Sequence, residues 1–239
     1  MAWKSWIFGV LAMAAVPASA AEIRFVSIDA APWAFYEAPD RPAGAFPEII
    51  AELEKRSGHK LPFTLQTFAR IERDLELGVQ DCTIILWMES RARLVELGET
   101  VYPMPFGIIA RKGVALTKYD DLLPLTVSMV RGVAFDKRFE ADDRIKRDID
   151  KDYGQSLQKL AHGRVDAVSG AVPTILHQVQ KAGLDDQIGD ILELSRIPLA
   201  LQCSKTSARL PHMAELGAVI RAMKDDGTLR KILARNGYR

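Results

Sequence analysis

The chain has 239 residues, 32 basic against 31 acidic, with 48% hydrophobic and 26% charged residues. That balance excludes a disordered, collagenous or low-complexity protein, and the missing basic excess argues against nucleic acid as the main partner. The length allows one large domain or two small ones with a real core, so function is to be sought in a pocket.

The first twenty residues read as a targeting segment. Lys4 supplies the positive start, residues 6–16 are apolar, and Ala18-Ser19-Ala20 is a small-residue cleavage site. The apolar run falls short of the roughly twenty residues a membrane span needs. No Cys stands at the cleavage point, so a lipid anchor is not expected there. The expectation is an exported, periplasmic protein processed after Ala20. Cys82 and Cys203 are its two cysteines. An oxidising compartment permits a disulfide, but the sequence cannot pair them, and their apolar, strand-like settings suit buried free thiols equally.

Residues 22–28 alternate polar and apolar and predict a strand. A Pro- and Ala-rich loop follows with Pro32-Trp33-Ala34-Phe35-Tyr36. Pro47 then opens a helix, since its missing N–H costs nothing in a first turn. Ile49, Ile50 and Leu53 form the apolar face, Glu52 and Arg56 pair at i,i+4, and Gly58 stops the helix. A strand over 60–67, a helix over 71–77 and a strand over 81–87 continue the alternation of a parallel α/β sheet.

The chain then repeats itself. Leu75-Glu76-Leu77-Gly78-Val79-Gln80-Asp81 and Leu160-Ala161-His162-Gly163-Arg164-Val165-Asp166 share Leu-x-x-Gly-x-x-Asp, each between an amphipathic helix and an apolar strand. A strand over 125–130 opens the second unit. Two similar lobes are the economical explanation: residues 22–108 plus 204–239 form the first, and 109–203 the second. The crossings are read at 105–111 and 198–205, and a helix pair over 213–233, broken at Asp226-Gly227, returns to the first lobe. Lobes joined by two short strands can close like a hinge.

With these residues in order, the chain resembles the periplasmic solute-binding proteins of ABC transporters, family 3, the polar-amino-acid group. The matching stretches are Pro32-Trp33-Ala34-Phe35, Gly44-Ala45-Phe46-Pro47-Glu48-Ile49, Gly78-Val79-Gln80-Asp81 and Ser90-Arg91-Ala92-Arg93-Leu94-Val95-Glu96-Leu97. They continue with Gly163-Arg164-Val165-Asp166-Ala167-Val168 and residues 223–233. The resemblance implies a two-lobed α/β periplasmic binding protein of type II, each lobe a mostly parallel sheet flanked by helices. It implies a monomer with a small-molecule ligand, no cofactor and an inner-membrane ABC permease as partner.

The resemblance also implies site residues. Arg91 falls where the family's Arg grips a ligand α-carboxylate, a task suited to a fixed fork of donors; Arg93 competes for the role in the same polar turn. The family's Thr is replaced by Met88, its Gly-Ser-Thr anion loop by Gly132-Val133-Ala134, and the Asp that meets the α-amino group by Ala171. Three of four polar contacts for a free amino acid are thus absent, and an unpaired ammonium in a closed cleft is costly. Trp33 and Trp87 fall on ligand-contacting loops, with Phe35, Tyr36 and Phe46 as weaker candidates; all of them also suit core packing. Aromatic walls with one Arg fit a carboxylate on a flat or apolar body. Arg70 can reach the cleft or pair with Asp74, and Asp81 and Asp166 are assigned to structure.

Other chemistry finds no support. His59, His162, His177 and His212 are scattered without metal-ligand spacing, so no metal site is expected. Phosphate loops and nucleophile elbows are missing from the sequence, and residues 136–152 read as a solvated helical face. The reading is a non-enzymatic protein that captures a small carboxylate-bearing solute, amino-acid-like or an organic or aromatic acid, for an ABC transporter. The alternatives are an enzyme on the same scaffold, like cyclohexadienyl dehydratase, with Glu89 as the nearest acid, and a ligand-less sensor or accessory protein.

Overall fold

The apolar run that begins at Phe25 produces β1 (Phe25–Ile28), where Phe25, Val26 and Ser27 are all buried, as in a parallel-sheet strand covered on both faces rather than the half-exposed strand the alternation suggests. The structure, a computed structural model, describes residues 20–238. The targeting segment therefore lies outside the described residues apart from Ala20. Among the described residues no helix is long and apolar enough to cross a membrane.

After β1 the loop around Trp33 holds a hairpin, β2 (Phe35–Ala38) and β3 (Arg41–Ala43). Helix α1 (Ala45–Ser57) buries Ile49, Ile50 and Leu53, pairs Arg56 Nε with Glu52 at 2.6 Å, and ends on left-handed Gly58. Next come β4 (Phe63–Gln66), α2 (Phe68–Glu76), β5 (Cys82–Leu86) and the long β6 (Val95–Arg111). The second half runs β7 (Thr126–Val130), α3 (Lys137–Ala141), β8 (Lys146–Asp150), α4 (Tyr153–Ala161), β9 (Ala167–Ala171), α5 (Val172–Ala182) and the long β10 (Ile188–Ser204). Helices α6 (Met213–Asp225) and α7 (Thr228–Arg235) close the chain, separated at left-handed Gly227.

Eight strands form one sheet in the order β4-β1-β5-β10-β6-β9-β7-β8. Parallel triplets, β4-β1-β5 and β9-β7-β8, flank the antiparallel pair β10-β6. Leu199–Cys203 of β10 pairs with β5, whereas Phe106–Ala110 of β6 pairs with β9. The connecting strands are thus longer than the sequence indicates, and they exchange partners near Pro105 and Arg196, which face each other in register. Helices α6 and α7 pack against α1, where Arg56 also reaches Asp226 (2.6 Å) and Thr228 (2.9 Å).

The repeated Leu-x-x-Gly-x-x-Asp acquires one geometric meaning in both halves. Gly78 and Gly163 each adopt φ +66°, a turn that favours glycine. Asp81 Oδ2 accepts from the Arg24 N–H at 2.8 Å, and Asp166 Oδ2 from the Thr126 N–H at 2.8 Å. In return the Asp81 N–H donates to Arg24 O and the Asp166 N–H to Thr126 O, both at 2.9 Å. Each carboxylate thereby pins the start of the first strand of its half to the strand that follows it. Asp81 adds Arg24 Nε (2.8 Å) and Ser207 Oγ (2.6 Å). Burial pushes its carboxyl up, but the Arg24 and Ser207 hydrogen bonds outweigh this and hold it below the ordinary range.

Two readings of the sequence are settled differently by three dimensions. Cys82 and Cys203 face each other in the β5–β10 register and form a disulfide, so neither is a free thiol. The mixed-charge stretch at 136–152 is not one helical face. Asp136 caps the short α3, Asp152 caps α4, and between them β8 forms a charged edge strand. Edge strands tolerate such charges because one side faces water. The inward Asp150 is held by Ser128 Oγ (2.5 Å), Ser156 Oγ (3.1 Å) and Lys159 Nζ (2.6 Å).

Candidate ligand-binding site

The loop after β1 carries Trp33 into a buried aromatic stack. Its ring lies 3.7 Å from Tyr238 and 5.4 Å from Phe46, with Tyr102 of β6 tilted at 5.8 Å. Gly44 makes this approach possible: at φ +106°, an added Cβ would meet Pro32 O at 2.6 Å and Trp33 O at 2.7 Å. The indole N–H donates to Thr174 Oγ1 on α5 at 3.3 Å. Phe46 is wholly buried behind Trp33, and burial pushes the Tyr238 hydroxyl well up.

Beside this stack lies an open groove of about 800 Å³. One wall is Pro32, Phe35 and residues 234–237; the other is the face of α5 with Val172, Pro173 and Leu176, and Tyr102 and Pro105 of β6 form part of the lining. Of the predicted site residues only Phe35 lines it directly.

Trp87, Met88 and Arg91 gather instead at the end of β5. The Trp87 N–H donates to Pro198 O at 2.7 Å and fixes the end of β5 against β10. Its ring is half-buried, and Met88 is exposed. A 3-10 turn, Glu89–Arg91, then turns Arg91 inward until its side chain is fully buried. Nη1 donates to Leu86 O (2.8 Å) and to Gln202 Oε1 (3.0 Å), Nε donates to Glu72 Oε1 (3.2 Å), and the Phe68 ring lies 4.8 Å from Cζ. Nη2 is buried with no acceptor among the described residues. Burial draws the guanidinium below its ordinary pKa, against the pull of Glu72. Arg93 points outward to Glu76, and Arg70 is exposed with Asp74 at 3.8 Å.

On the second half, Ala134 is exposed in the turn after β7, and the preceding Gly132 is left-handed. Ala171, buried at the end of β9, donates its N–H to Tyr153 Oη at 3.2 Å. Neither offers a polar side chain. The structure thus brings Trp33 and Phe46 together, places Trp87, Met88 and Arg91 along one turn at the end of β5 away from them, and leaves Ala134 and Ala171 apart on the second half. Thr174, Tyr102, Tyr238, Glu72, Phe68 and Gln202 complete these two clusters. They come from distant segments; Phe68 and Glu72 flank Arg70 and Gln202 precedes Cys203, but none of the six was itself singled out by the sequence.

Residues 24–237 match the family model described as bacterial extracellular solute-binding proteins, family 3. The chain belongs to this family. It is 24% identical over 193 residues to the probable amino-acid-binding protein YxeM of Bacillus subtilis (strain 168), covering 77% of this chain and 72% of that protein. Its fold is like that of an ancestral arginine-binding protein bound to arginine, with a TM-score of 0.68, 23% identity, and 90% of this chain and 97% of the other covered. It is also like an ancestral amino-acid-binding protein described as a precursor of cyclohexadienyl dehydratase, with a TM-score of 0.66, 18% identity, and 90% and 95% covered. These structural neighbours share the two-lobed α/β architecture.

Proposed function

We propose that the protein captures a small carboxylate-bearing solute between its two lobes and presents it to an ABC permease in the periplasm, after export and processing behind Ala20. The observation that carries this reading is Arg91. Its Nε and Nη1 are spent on protein acceptors, while Nη2 is buried without one. An unsatisfied buried N–H costs about 1–3 kcal/mol, and more on a charged group. A carboxylate oxygen removes that cost with a charge-assisted hydrogen bond once the turn over Glu89–Arg91 shifts, because the Arg91 side chain is fully buried as it stands and does not line the groove. Phe68 covers the guanidinium at 4.8 Å, and Trp87, four residues before Arg91 at the end of β5, offers a further aromatic wall for an apolar or flat ligand body.

In this reading the strands exchange between lobes near Pro105 and Arg196, and the C-terminal helices belong to the first lobe. Ala134 and Ala171 supply no acid for an ammonium, so the favoured ligands are organic and aromatic acids over free amino acids. Glu89, the acid nearest Arg91 in the chain, is exposed, which favours binding over acid–base turnover.

The test is thermal melting of the protein against amino acids, aromatic acids, other organic acids and sugars. A ligand at about a hundred times its dissociation constant stabilises by about 2.7 kcal/mol, on the order of 5–10 °C for a chain of this size. A shift with carboxylates alone, lost in Arg91→Lys, supports the reading. Shifts with none of the panel, or equally with sugars, refute it, and a ligand consumed over time identifies an enzyme.

A further inference from the structure

His59, His212 and Glu215 come from distant segments of the chain yet meet on one face of the first lobe. Their ligating atoms lie within 4.8 Å of one another. His59 Nε2 is 2.9 Å from Glu215 Oε2, His212 Nδ1 is 3.8 Å from the same oxygen, and the two imidazole rings stand edge to face at 4.7 Å. His59 is 3% exposed, so its ring is held rigidly, whereas His212 and Glu215 open onto solvent. Beside them is a cavity of about 450 Å³, lined also by Ala20, Ala21, Glu22 and Arg209.

We infer that His59, His212 and Glu215 form a binding site for a divalent transition-metal ion of the zinc type. Two imidazoles and one carboxylate are a set that zinc accepts, with a fourth position left to an exogenous ligand. Ligands at about 2.0–2.1 Å in a tetrahedron stand about 3.3 Å apart, close to the 2.9 and 3.8 Å separations to Glu215, while the two imidazole nitrogens, within 4.8 Å of each other, must draw closer. Only small side-chain adjustments are needed, and both adjustable residues, His212 and Glu215, are on the solvent side. Arg209 is the opposing side-chain charge on the rim, against the carboxylates of Glu22 and Glu215, and in a chain processed after Ala20 the α-amino group of Ala21 adds a second positive charge there until it is deprotonated.

The contact behind His59 sets one condition. The Ala21 N–H donates to His59 Nδ1 at 3.2 Å, which leaves the ring proton on Nε2, shared with Glu215. A metal on Nε2 takes the place of that proton and requires the Ala21 contact to be given up. In a chain processed after Ala20 that nitrogen is the terminus itself, a point that rests on the export reading above, and the adjoining cavity leaves it room to turn away.

The experiment is calorimetric titration of the processed protein with zinc chloride, repeated with His212→Ala, Glu215→Gln and, as a control, His162→Ala. Cobalt(II) absorption reports the coordination geometry. The expected result is one saturable site with a four-coordinate cobalt spectrum, unchanged in His162→Ala. Each ligand variant should weaken it by more than the ~10–100-fold that a supporting partner carries. His212 and Glu215 are not buried, so these variants keep the fold, which circular dichroism verifies. No saturable binding, or binding that survives both ligand variants, would overturn the inference.

Discussion

Trp33 in the loop after β1 donates its indole N–H to Thr174 Oγ1 on α5, 3.3 Å away and 141 residues along the chain. The bond ties the loop that follows the first strand to the helix that follows β9, across the groove that Pro32, Phe35, Val172 and Pro173 line. Thr174→Val removes the acceptor and keeps the shape. A net hydrogen bond is worth about 0.5–1.5 kcal/mol, so ligand affinity should fall about 2- to 10-fold. Trp33 fluorescence, read in a Trp87→Phe background, should shift toward a more exposed indole. An unchanged spectrum and affinity would mean that the bond takes no part in closure.

The Cys82–Cys203 bridge closes a separation of 121 residues. A loop of that length constrains the unfolded chain enough for about 3–5 kcal/mol of stability. Reduction, or the Cys82→Ser/Cys203→Ser double variant, should lower the melting temperature by about 10 °C, without altering the far-ultraviolet circular dichroism of the folded state. A drop of only a degree or two would show that the β5–β10 ladder is self-sufficient.

Asp81 and Asp166 perform the same backbone task in different surroundings. Asp81 is buried and holds Arg24 and Ser207 as well, while the Asp166 side chain is about one-third exposed and meets Arg111 only at 3.8 Å. Asp81→Asn should cost about 2–3 kcal/mol, allowing for the half-exposed Arg24, and Asp166→Asn about 1 kcal/mol. Urea denaturation at neutral pH ranks the two. Equal losses would contradict the asymmetry.

Acid stability follows from the same groups. Asp81, Asp150, Glu48 and Glu99 all have folded-state pKa values below their ordinary ones, and Asp226 is held at about 2 by Thr228 and Arg56. The unfolded chain therefore binds protons at higher pH than the folded one. The stability these groups contribute is complete above the ordinary carboxyl range and is lost as pH falls through the depressed values. Melting temperature should be flat near neutrality and decline below about pH 4. Asp81→Asn should start lower and decline less steeply.

The elements that were legible in the sequence are those governed by local chemistry. Pro47, the Ile49–Leu53 face and Gly58 define α1 within thirteen residues, and the repeated Leu-x-x-Gly-x-x-Asp marks two equivalent turns. The disulfide depends on the register of β10 against β5, strands separated by half the chain, and no local signal reports it. Residues 136–152 were misread because an edge strand and a solvated helix face carry the same mixture of charges. At the site, the motif around Arg91 located a buried guanidinium, but its partners Glu72, Leu86 and Gln202 come from α2, β5 and β10 and converge only in the fold. Trp33 and Tyr238 stack from opposite ends of the chain. His59 and His212 read as scattered histidines for the same reason, since 153 positions separate them in the sequence while their rings stand 4.7 Å apart.

The most direct test of the account is a crystal structure of the protein with the best carboxylate found by thermal melting. A ligand carboxylate oxygen is predicted at about 2.7–2.9 Å from Arg91 Nη2, with the ligand body against Trp87. A ligand held elsewhere, with Nη2 still lacking an acceptor, would contradict it.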